Sequence, residues 1–121
     1  MKTSKDPRHK KRQRSVQELF SVEFQKQPIS KETELILGYK AEIDKNIQKA
    51  APDFPVDKIN KIDLAVLRLA TYELLIDQKE PKNVIIDEAI ELAKEFGSDT
   101  SPAFVNGVLA HITTYAQPTK I

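Results

Sequence analysis

Cysteine is absent from this 121-residue chain, and glycine occurs only at Gly38, Gly97 and Gly107. Without cysteine there is no disulfide, no thiolate zinc site and no cysteine nucleophile. Scattered glycines cannot form a phosphate-cradling loop, which needs them closely spaced so that backbone N–H groups approach phosphate. Their scarcity also disfavours an all-β design rich in tight turns. No apolar run reaches the roughly 18 residues of a membrane-spanning helix, so no membrane partner is expected. The basic N-terminus has no apolar segment behind it and does not read as a secretory signal. Cytoplasmic residence is the expected localisation.

Catalytic chemistry is equally sparse. The two histidines, His9 and His111, lie far apart and have no HExxH-type metal spacing. There is no GxSxG elbow and no Ser/His/Asp set. No catalytic residue, metal or cofactor is therefore expected, and the chain does not read as an enzyme.

What is present fits one all-α domain. Hydrophobic residues at 40% and charged residues at 31% suit a folded rather than a disordered chain. The division expected is a disordered basic tail at 1–7, a helical domain at 8–116 and a C-terminal tail at 117–121. The net charge of +1 hides an asymmetry. Residues 1–14 hold seven Lys or Arg and one acid, giving +6, and the remaining 12 bases and 17 acids give −5. A basic arm on a mildly acidic body suits a polyanion, and equally a solvated tail.

Apolar spacing predicts the helices. The first should span about 9–26, with Val16, Leu19, Phe20 and Phe24 buried and with Arg8, Arg12 and Ser15 continuing the turn spacing upstream. Ser30 should cap a second helix whose buried face is Leu35, Ile36, Tyr39, Ile43 and Ile47, with Gly38 inside it. A short turn is expected at Val56–Ile59. Residues 62–76 are apolar nearly all round, which marks the central helix, and Arg68 and Glu73 within it should be ion-paired or capping. A further helix should start near Asn83 and carry Asp87, Glu88, Glu91 and Glu95 on a solvated face. Gly97 fits the left-handed position after a helix end, and Ser101-Pro102 an N-cap followed by the first helical residue. Phe104, Val105, Val108, Leu109 and Ile112 form the last buried stripe.

Several of these residues recur as a pattern. Leu67-Arg68, Tyr72-Glu73-Leu74, Pro81-Lys82, Glu88-Ala89, Glu91-Leu92-Ala93-Lys94, Phe96-Gly97, Ser101 and Phe104-Val105-Asn106-Gly107-Val108-Leu109 resemble the NusB family of bacterial transcription antitermination factors, closely over 62–112. Arg8 to Arg12 with Val16-Gln17 and Leu19-Phe20 resemble that family's arginine-rich opening and first helix. The resemblance implies two small helix bundles, about six helices in all, with a short second bundle element. It implies binding of boxA-like single-stranded RNA, together with the NusE-type small-subunit ribosomal protein, and an indirect link to the RNA polymerase elongation complex. By the same resemblance RNA would be met by Arg8, His9, Lys10, Arg12, Thr100, Ser101, Phe104 and Asn106, and the protein partner by Phe20 and Asp63. Cations for phosphate with aromatic and amide groups for bases are what single-stranded RNA recognition uses. The region before residue 60 is trimmed relative to the family, and Lys10 and Lys11 stand where arginine is common. Two other readings remain: a helical protein–protein adaptor, and a stand-alone relative of the RNA-binding domain of ribosomal RNA cytosine methyltransferases. A monomer and a homodimer both fit the sequence. The expected geometry places Arg8–Arg12 and Phe104–Asn106 on one surface.

Overall fold

The computed structural model describes residues 6–116. Its helices are α1 Pro7–Ser21, α2 Lys31–Gly38, α3 Lys40–Ala50, α4 Lys61–Tyr72, α5 Lys82–Phe96 and α6 Ser101–Tyr115. A 3-10 turn, Val56–Lys58, precedes α4, and a π-helical turn, Glu73–Asp77, continues it. No strand occurs among the described residues. The all-α expectation holds. Of the expected tails, residues 1–5 and 117–121 lie outside the described residues. Asp6 and Pro7 do not belong to a tail. The Asp6 carboxylate accepts from the Arg8 backbone N–H at 2.9 Å, and Pro7 opens the helix where a missing N–H is harmless.

Helix α4 is the axis of the molecule. Asp63 to Thr71 are all buried, and so are Glu73 to Ile76. Two groups of helices share it: α1 and α2 in one, α3, α5 and α6 in the other. This is the expected pair of small bundles. Leu19, Ile36, Ile47, Leu67, Leu92 and Ile112 draw the core from every helix. Each such side chain contributes about 1.5–3 kcal/mol by leaving water.

Several local expectations are corrected. The second helix is two helices, broken at Tyr39 (φ −109°, ψ 15°). A Cβ on Gly38 would meet nothing within 4 Å, so this glycine serves no close packing. On α2 the inward residues are Thr33 and Ile36, while Leu35 is 46% exposed. Helix α1 stops at Ser21 rather than near 26, because Glu23 turns away to pair with Arg68. Phe24 is consequently exposed, its ring 4.9 Å from that of Phe20. Gly97 is extended (φ −98°, ψ −164°), not left-handed. It is needed for space: a Cβ there would lie 2.7 Å from the Ala93 carbonyl oxygen and against the Ser101 side chain. Ser101 is itself inside α6, with Thr100 as its cap residue. Its buried hydroxyl accepts from the Ser98 N–H at 3.0 Å.

Candidate nucleic-acid interface

The basic segment folds as a helix with two different faces. His9, Arg12, Val16 and Leu19 recur every three or four residues and therefore share the inner face. Arg12 reaches Glu73 through two parallel bonds, Nε to Oε2 at 2.8 Å and Nη2 to Oε1 at 2.7 Å. Its remaining Nη1 donates to Glu88 at 3.3 Å. His9 Nδ1 lies 3.0 Å from Glu88 Oε1, and Nε2 lies 3.1 Å from the Glu95 carboxylate. Gln13 donates to Glu95 at 3.3 Å. Among the described residues no group is arranged to hold a metal ion, this cluster included.

These contacts change the charge logic of the arm. The hydrogen bond that Glu88 accepts raises the His9 pKa; burial opposes it, and Glu95 adds to it. Both ring nitrogens face carboxylates, which suits the imidazolium, a donor at both positions. Burial works against the Arg12 charge, yet Glu73 and Glu88 hold its pKa above the ordinary value. His9 is 5% exposed. His9 and Arg12, both expected to meet RNA, therefore turn toward carboxylates of this chain. They fasten α1 to α4 and α5. Glu88 was expected on a solvated face, but it is buried beside Ile85, Ala89 and Leu92. Spacing carried the signal: Ile85, Glu88, Ala89 and Leu92 lie on one helical stripe.

The outer face of α1 keeps its cations in water. Arg8, Lys10, Lys11 and Arg14 are exposed. Arg8 pairs with Glu80 at 3.2 Å and Lys11 with Glu32 at 3.0 Å. Such exposed pairs contribute at most about 1 kcal/mol. Lys10 makes no ion pair with another described residue. Lys10 and Arg14 lie one turn apart on the same side.

The second group sits at the start of α6. Thr100 and Asn106 are exposed, while Ser101 is 1% exposed and turned inward. Phe104 is half-buried, its ring meeting the edge of Phe54 at 5.4 Å. A Cβ on Gly107 would meet nothing within 4 Å, so this glycine faces open space. Phe54 was not singled out from sequence, although an aromatic between Pro52 and Pro55 was the available signal. Its turn is held by Gln48, which donates to the Phe54 carbonyl at 3.0 Å and accepts from the Val56 N–H at 2.9 Å. Among the described residues no hydrogen bond, ion pair or ring contact joins Arg8–Arg12 to Thr100–Asn106. What links them is α5: His9 and Gln13 hold Glu95, and Gly97 then leads into α6.

The expected partner residues lie on the α1–α4 contact. Phe20 is half-buried against Phe24. Asp63 is buried in the first turn of α4, and its Oδ1 meets no hydrogen-bond donor. Arg68 stitches the same region together, donating from Nε and Nη2 to Asp44 at 2.9 Å and from Nη1 to Glu23 at 2.9 Å. Arg68 and Glu73 are thus ion-paired at the core edge, as expected.

Comparison with known proteins gives one consistent result. The model of the NusB family matches residues 33–114. A curated relative from Chloroflexus aggregans, named Transcription antitermination protein NusB, is 51% identical over 78 residues, which is 63% of this chain and 52% of the relative. The protein of that name from Geobacter sulfurreducens is 46% identical over 79 residues, covering 65% of this chain and 57% of the relative. The chain spans about half the length of the curated relatives it matches. The solved structure of T. maritima NusB is similar along the whole fold, with a TM-score of 0.82 at 32% identity, covering 98% of this chain and 96% of that one.

Proposed function

The chain belongs to the NusB family, and from that premise we propose that it is an RNA-binding transcription antitermination factor. It captures boxA-like single-stranded RNA together with the NusE-type ribosomal protein, in the cytoplasm, and ties the transcript to the elongating polymerase. The mechanism is assembly. The observation that carries the reading is the exposed face of α1, where Arg8, Lys10, Lys11 and Arg14 stand in water on a helix whose other face is locked down. Cations on a fixed helix meet phosphate without first being ordered. Phe104 and Phe54 supply aromatic surface, and Asn106 and Thr100 supply hydrogen-bonding groups at the other end of the proposed track. Phe20 and Asp63 belong to the proposed partner surface.

The adaptor reading gains one observation: His9 and Arg12 are neutralised internally, so fewer cations face outward than the sequence suggests. A titration separates the two. BoxA-type RNA should bind with and without the ribosomal protein, more weakly as salt rises, because phosphate contacts release counterions. Replacing Lys10 and Arg14 with alanine should weaken it further. No measurable RNA binding in either condition would sink the proposal and leave the adaptor.

A further inference from the structure

Helices α1 and α2 and the junction of α4 with its π-helical turn enclose an open cavity of about 190 Å³. Its apolar walls are Leu35, Ile36, Leu69 and the ring of Tyr72. Ser15 also lines it. This serine is 2% exposed, and its hydroxyl has no hydrogen bond to another described residue. The hydroxyl is open to the cavity, where a guest or a water can bond it.

Charge and size narrow the guest. Four ion pairs line the cavity, Arg8–Glu80 at 3.2 Å, Lys11–Glu32 at 3.0 Å, Arg12–Glu73 at 2.7 Å and Lys79–Asp77 at 3.7 Å. Four cations against four carboxylates leave no net charge, so the lining does not select phosphate. It offers donors and acceptors around an apolar slot, which suits a neutral planar ring with polar edges. Drug-sized ligands occupy pockets of about 300–1,000 Å³. The volume here is smaller, suited to one ring system rather than a whole nucleotide.

We propose that this cavity receives a single splayed-out base of the bound RNA strand, with Ser15 bonding its edge and Tyr72 and Leu35 contacting its faces. The inference rests on the RNA-binding reading above. Single-stranded RNA recognition works by splaying bases into such sites. Lys11 at the rim is three residues from Arg14, which lies one turn from Lys10, so a strand on those cations passes the mouth of the cavity.

The test pairs RNA with protein. BoxA-type RNA is synthesised with an abasic site at each position in turn and titrated against the unaltered protein, against Leu35→Trp, which closes the mouth, and against Ser15→Ala. Leu35 is 46% exposed, so its replacement should leave the fold intact, with unchanged circular dichroism and melting temperature as the control. One abasic position should weaken binding about tenfold to a hundredfold, the scale of one stacked base. Leu35→Trp should weaken intact RNA to the same degree and erase that position's effect, while the salt slope stays unchanged. Ser15→Ala should cost about threefold to tenfold. If RNA binds with a normal salt slope but neither the variants nor any abasic position matters, the base-receiving cavity is wrong and the RNA reading stands. If the unaltered protein binds no RNA, both fall. If free ribonucleoside monophosphates bind nearly as tightly as the RNA and Leu35→Trp abolishes that, the cavity serves a free nucleotide and the assignment to the strand is overturned.

Discussion

Arg12 and Arg68 do the same job from opposite directions. Arg12 reaches inward from an outer helix, and Arg68 reaches outward from the central one. Each grips one carboxylate with two parallel bonds, Glu73 for Arg12 and Asp44 for Arg68, and gives a third nitrogen to another acid. The surroundings differ. The Arg68 partners Asp44 and Glu23 are 22% and 19% exposed at the side chain, whereas Glu73 and Glu88 are 11% and 3%. The Arg12 cluster also contains His9, whose pKa Glu88 and Glu95 raise above its ordinary value, while the Arg68 set contains no histidine. Similar geometry therefore gives one fixed fastening and one whose strength depends on pH.

The largest effect that separates them is removal of the guanidinium. Breaking a buried pair strands its partner charges at a cost of about 3–5 kcal/mol. Arg12→Ala should fall in that range, because Glu73 and Glu88 then lose their common counter-charge in a nearly dry site. Arg68→Ala should cost less, about 2 kcal/mol, since water reaches Asp44 and Glu23 and screens them. Urea unfolding of both variants measures the difference. Lysine should rescue neither fully, because it lacks the planar fork. Equal losses at the two arginines would show that burial of the acids does not set the strength.

The contrast also explains what could be read from the sequence. Arg68 and Glu73 stand out as charges inside an apolar run, so ion pairing there was legible. The central helix was legible for the same reason. Arg12 and His9 sit in a basic run near the terminus, where the same residue types also suit an exposed polyanion site. Their spacing to Val16 and Leu19 placed them on the inner face, but composition pointed outward. Glu88 was obscured in the same way by Asp87, Glu91 and Glu95 around it. Gly97 was recognised as special for the wrong reason: its constraint is the distance to Ala93 and Ser101, which arises only once α5 and α6 meet. The cavity beside Tyr72 brings together α1, α2 and the end of α4, and no local pattern encodes such a gap.

The next effect in size is the pH dependence. His9 has a folded-state pKa above its ordinary value, about 6.5. Its stabilisation is therefore complete below that ordinary value and is lost as pH rises through the higher folded value. Glu88 and Glu95 face it directly, and Arg12 and Glu73 lie beside them. Hydrogen bonds to charged groups contribute about 1.5–3 kcal/mol each, and the loss should be on the order of 1 kcal/mol because neutral imidazole keeps one donor. The melting temperature should fall as pH rises above the ordinary histidine value in the unaltered protein and stay flatter in His9→Gln. Glu88→Gln should bring the His9 titration, followed by NMR, back toward its ordinary value. In Arg68→Ala the pH dependence should persist unchanged. A flat profile in the unaltered protein would remove His9 from the fastening.

The smallest effect on stability should accompany the clearest effect on RNA. Lys10 and Arg14 are exposed, and exposed substitutions of this kind usually shift stability by no more than about 0.5 kcal/mol. If they meet phosphate, the double variant Lys10→Ala with Arg14→Ala should bind RNA more weakly at every salt concentration. Each lost phosphate contact should also flatten the plot of log affinity against log salt by about 0.7. Arg12→Ala should do the reverse: a large loss of stability and, at temperatures where it remains folded, an unchanged salt slope. Two cations two residues apart in the same basic run would then have separate roles, because a helix turns one of them toward Glu73 and the other toward water. An equal flattening of the slope by Arg12→Ala would mean that the carboxylate cluster opens when RNA arrives.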